Sequence, residues 1–142
     1  MDDQLGTYRT METHGKSQLD LILQVYNGAI KAYETASAKL ANQEFDAGRE
    51  ELEKAKRFVV HLYTTLDTEQ GGEVADNLSQ LYAFVVNESN VVAATKDTGR
   101  IDDIVSILDN LRQGWQELRQ QVQAEPSLSA PAPALGGFTT SG

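Results

Sequence analysis

The chain has 142 residues, 40% of them hydrophobic, enough for one domain with a core of several helices and no metal or disulfide to hold it. It has no cysteine, which excludes disulfide frameworks, thiolate metal sites and thiol nucleophiles and fits a reducing cytosol. Lys and Arg number 12 against 21 Asp and Glu, a formal charge of -9 that repels phosphate backbones and anionic lipid, so neither nucleic acid nor a membrane surface is an expected partner.

The N-terminus, Met1-Asp2-Asp3, is acidic where a secretory signal is basic, and the apolar runs are short, so neither a cleaved leader nor membrane insertion is expected. Residues 1–16 have no regular period, yet they carry Tyr8 and Met11, large apolar groups to leave in water. Helical periodicity begins at Ser17, which with Asp20 resembles a capping box ahead of Leu19, Ile22, Leu23, Tyr26, Ala29, Ile30, Tyr33 and Leu40. A second helix is expected from about Asp46 to Leu66, with Leu52, Ala55, Val59, Leu62 and Leu66 on one face. Its acidic residues lead and its basic residues follow, as the helix dipole favours.

Gly71 and Gly72 read as the stop that lets the chain reverse. A third helix then runs to about Thr95, with Leu78, Leu81, Tyr82 and Val85 on one face. The fourth opens beyond Gly99 and aligns Ile101, Ile104, Val105, Leu108, Leu111, Trp115, Leu118 and Val122. Short connections make successive helices antiparallel, so the expected fold is all-α: an up-down four-helix bundle over residues 17–124. All three prolines lie in 125–142 among Ala, Ser and Gly, and this tail is expected to be disordered.

No catalytic constellation emerges. A di-iron bundle needs Glu-x-x-His pairs, and neither His14 nor His61 follows a Glu at that spacing. His61 lacks the Lys and Gly neighbours of a phosphorelay histidine, and no Gly-rich phosphate loop follows a strand. The chain therefore reads as a binding protein without enzymatic activity, metal or cofactor. The run Tyr82-Ala83-Phe84-Val85-Val86 points around more of its helix than one core-facing stripe requires, so part of it must lie outside the core. Ile107 and Gly114 form a second line beside the main stripe of the fourth helix. Gly28 and Gly114, costly inside helices, suggest close approach of another backbone.

Three stretches, VYNGAIKAY, EQGGEVADNLSQLYAF and IDDIVSILDNLRQGW, resemble the flagellar secretion chaperone FliS family in order and spacing over about residues 8–120. The resemblance implies a helical bundle of the bacterial cytoplasm that binds the C-terminal segment of flagellin. It would prevent premature polymerisation and hand flagellin to the export machinery. It further implies that Tyr8 and its neighbours, Met11 among them, act as an N-terminal cap over the apolar groove. Tyr26, Asn27 and Gly28 match the family's Tyr-Asp-Gly element, with Asn replacing Asp. Leu78, Leu81 and Tyr82 match its Leu-x-x-Leu-Tyr element, and Trp115 its late aromatic. The expected partner-binding set is Tyr8, Met11, Tyr26, Asn27, Leu78, Tyr82, Val86, Ile107 and Gly114.

The chain departs from the family pattern at Asn87-Glu88, where a basic pair is usual, and at Gln18, where Pro is usual. These departures leave open a divergent flagellin or a paralogous chaperone with another client. A homodimeric structural module is the alternative from a different class, so both monomer and dimer remain open.

Overall fold

The computed structural model describes residues 15–124, which form four helices: α1 (Gly15–Ala41), α2 (Phe45–Thr64), α3 (Thr68–Thr95) and α4 (Thr98–Ala124). No strand occurs among the described residues. The links 42–44, 65–67 and 96–97 are too short to carry the chain back along a neighbour, so each helix runs antiparallel to the one before it. The fold is the all-α four-helix bundle that the periodicity predicts. The N-terminal segment, with Tyr8 and Met11, and the tail after α4 lie outside the described residues.

Buried positions recur at intervals of three and four, which sum to seven. Leu19, Tyr26, Tyr33 and Leu40 make one such line in α1; Leu78, Val85 and Val92 make one in α3; Ile101, Leu108 and Trp115 make one in α4. A seven-residue repeat is the signature of helices that wrap one another with a slight left-handed twist. It also fixes register. Two polar rungs cross the core between the parallel helices α1 and α3, one from Tyr26 to Tyr82 and the next, seven residues on in both, from Tyr33 to Ser89 at 2.6 Å. Between antiparallel α1 and α4, Arg119 reaches Asp20 at 3.2 Å. Seven residues back in α4, Arg112 reaches Asn27, seven forward in α1, at 2.7 Å.

Helix spacing follows side-chain size. Among neighbouring helices the backbones approach most closely between α1 and α2, where the small Ala32, Ala36 and Ala55 are buried, and least closely between α3 and α4, where Tyr82, Val85, Ile104 and Trp115 fill the core. The tight approach at Gly28 that the sequence suggests is present, but the neighbour is a ring and not a backbone. A Cβ there would stand 2.7 Å from Phe58 Cζ.

The helix ends differ from expectation in two places. Ser17 lies inside α1, which runs from Gly15, so it is not the cap. Nor do Gly71 and Gly72 make the reversal. The chain turns at 65–67, where the Thr65 hydroxyl donates to the His61 carbonyl at 2.8 Å and Asp67 caps α3 by accepting from the Gln70 N–H at 3.0 Å. Gly72 sits within α3 as a kink, at φ 57 and ψ -133, a backbone conformation closed to L side chains. Its freedom redirects a helix already begun.

Candidate functional site

The run Tyr82–Val86 divides as a helix must. Tyr82 and Val85 are fully buried, Ala83 and Val86 are half-buried, and Phe84 is 46% exposed, the largest exposure among the large apolar side chains described. Surplus apolar surface therefore exists, and it centres on Phe84. Its neighbours follow from register. Glu88 on α3 accepts from Arg100 on α4 at 2.8 Å, a contact that also holds the Arg100 guanidinium above its ordinary pKa. Extrapolating that register by seven residues along each helix pairs Leu81 with Ile107 and, one repeat further, Val74 with Gly114. Leu81, Val74 and Ile107 are half-buried against the core. With the exposed Phe84 they make an incompletely buried apolar strip on α3 and α4, a candidate groove beside the Glu88–Arg100 pair.

The outer edge of this groove is acidic or neutral: Asp103, Asn110 and Glu117 follow one line at seven-residue spacing along α4, and all are exposed. Ile107 and Gly114, named from sequence, are half-buried on α4. Val86 lies one step round α3, toward α2. Tyr26, Leu78 and Tyr82 lie beneath the surface, at 0%, 2% and 0% exposure. They form its foundation: Trp115 Nε1–H donates to Tyr26 Oη at 3.2 Å, and Tyr26 and Tyr82 share the hydroxyl hydrogen bond already described. Burial pushes the Tyr26 phenol well above its usual range, with the neighbouring Tyr82 adding to the rise. Asn27 is exposed on the α1–α4 flank, held by Arg112, whose Nε is buried without a hydrogen-bond partner.

Phe84 is the residue that stripe counting leaves out, whereas Leu81, counted on the core face, is only half-buried. Among the described residues no group of three or more His, Asp or Glu is arranged to hold a metal ion, and no helix is long and apolar enough to cross a membrane.

The described residues of this acidic chain form a four-helix bundle with an incompletely buried apolar strip on α3 and α4. The family model of the flagellar protein FliS matches residues 1–122, and the chain belongs to that family. It is similar to the flagellar secretion chaperone FliS of Salmonella typhimurium, 29% identical over 108 residues that cover 75% of this chain and 80% of that one. The corresponding chaperone of Vibrio cholerae is 28% identical over 98 residues, 69% of this chain and 72% of its own. A shorter match, 32% identical over 62 residues, links 44% of this chain to 49% of the flagellar secretion chaperone FliSB of Pseudomonas aeruginosa.

Proposed function

We propose that this protein is a cytosolic flagellar export chaperone that binds the C-terminal segment of flagellin and keeps it from polymerising before secretion. The observation that carries the reading is the incompletely buried apolar strip of Leu81, Phe84 and Ile107 on α3 and α4. A client segment that is unfolded when free would fold as a short helix along this groove. Burial of each large side chain contributes about 1.5–3 kcal/mol, set against the cost of ordering the segment. Covering an assembly surface is itself the activity, so the mechanism calls for no catalyst, metal or cofactor.

The partner-binding residues take two roles in this reading. Ile107 and Gly114 contribute surface to the groove and Val86 to the adjoining face of α3, whereas Tyr26, Leu78 and Tyr82 hold α1, α3 and α4 at the spacing the groove needs. Tyr8 and Met11 belong to the N-terminal cap that the client displaces, and Asn27 steadies the α1–α4 flank through Arg112. The acidic edge favours a client helix whose flanks are neutral or basic, because like charges across an interface oppose binding.

Calorimetry with the flagellin C-terminal peptide and the variants Phe84→Glu and Ile107→Glu tests this reading. Affinity should fall in both while the fold persists. Unchanged affinity would remove the client from this groove, and a dimer that persists at high dilution and ignores the peptide would favour a self-association surface.

A further inference from the structure

The opposite flank of the bundle carries a second apolar depression with the opposite charge. Between α1 and α2, Val25 and Phe58 form the floor of an open pocket of about 360 Å³, rimmed by Lys54, Arg57 and His61. Gly28 shapes it: the missing Cβ lets the Phe58 ring lie against α1. Leu21, 40% exposed, precedes Val25 and Gly28 at helical spacing and extends the apolar floor toward the start of α1.

The rim is unusual in a chain of charge -9. Arg49, Lys56, Arg100, Arg112 and Arg119 each pair with a carboxylate, yet Lys54 and Arg57 have none within 4.0 Å among the described residues. Both are exposed, as is His61. The acidic residues of α2 (Asp46, Glu50, Glu51 and Glu53) share a neighbouring depression with Lys54 and Arg57, so the basic rim is confined to the side that faces Val25, Phe58 and His61. The α3–α4 groove is edged by Asp103 and Glu117, so the two flanks select for opposite charge.

We propose that the α1–α2 pocket is a second docking site, specific for an acidic amphipathic helix of a protein other than the client. A large apolar side chain of that helix enters over Val25 and Phe58, and carboxylates on its flanks meet Lys54, Arg57 and His61. The floor supplies holding area. The exposed cations choose the partner, since charges at the edge of an interface govern specificity and rate of association more than affinity.

The test uses two helical model peptides with Leu and Phe on one face, one flanked by Glu and the other by Lys, titrated into the full chain and followed by NMR. The Glu peptide should shift Val25 methyl and Phe58 ring signals and leave Phe84 unmoved, and saturating flagellin C-terminal peptide should not displace it. The double variant K54E/R57E should weaken the Glu peptide about tenfold and strengthen the Lys peptide. Gly28→Ala, with all charges intact, should also weaken the Glu peptide by displacing the Phe58 ring, with folding checked by thermal melting.

Unchanged affinity in K54E/R57E would overturn the proposal. So would displacement by the flagellin peptide, or Val25 and Phe58 shifts that appear on concentrating the chain alone, which would make a second copy the occupant. Failure of the flagellin peptide to bind anywhere, with the Glu peptide still seated on Phe58, would count against the client groove alone.

Discussion

The hydroxyls of Tyr26 and Tyr82 meet in the centre of the bundle although the residues are 56 positions apart in sequence. Tyr26 also accepts from Trp115, so one phenol ties α1 to both α3 and α4 in the fully buried core. Because that oxygen already receives the indole N–H, its own proton is available to Tyr82. A polar link inside an apolar core is costly when half made, which gives it the power to fix register.

Tyr26→Phe should therefore cost about 1–3 kcal/mol, because it removes both hydrogen bonds of the Tyr26 hydroxyl from the core while removing almost no volume. Urea unfolding measures the loss. The fluorescence of Trp115, the single tryptophan, should report the changed surroundings before unfolding begins.

Alkaline pH should loosen the bundle through its tyrosines. Burial pushes the Tyr33 phenol up to about 12, and Tyr26 rises well above its ordinary value from the same cause. A phenol whose folded pKa exceeds the unfolded value of about 10 gives its full stabilisation below pH 10. It loses it as pH climbs toward the folded pKa, by about 1.4 kcal/mol per pH unit for each such group. Melting temperature should fall between pH 10 and 12, and Tyr33→Phe should make that fall less steep. An equally steep fall in the variant would assign the loss to other groups.

Gly72→Ala should lower stability by about 1–3 kcal/mol even though a Cβ there meets nothing within 4 Å. The cost is torsional, since φ 57 with ψ -133 excludes an L side chain. Thermal denaturation checks it. A neutral result would mean that α3 straightens through this point without penalty.

Phe84→Glu should change stability by no more than about 0.5 kcal/mol, as expected for an exposed position, yet reduce affinity for the flagellin peptide at least about tenfold. Chemical denaturation and calorimetry on the same preparation separate the two effects. Equal loss in both would place Phe84 among the packing residues.

The sequence by itself determined the four helices and most of their buried stripes, because a repeat of three and four residues is a local property that any reader of the chain can count. Trp115, Ile104 and Leu118 fell on the core face for that reason. Helix phase, however, states which residues share a face and leaves open how that face is turned toward its neighbours. Tertiary packing decided that Tyr82 would be fully buried while Leu81, counted on the same face, is only half-buried and Phe84 is left in solvent. The reversal was misplaced at Gly71-Gly72 because paired glycines are a strong stop signal. The Asp67–Gln70 cap lay a few residues earlier, and only there could the chain turn with its first amides satisfied. The two flanking grooves belong to the assembled bundle as well, since each is lined by two helices whose spacing is set by the bulk of the side chains between them.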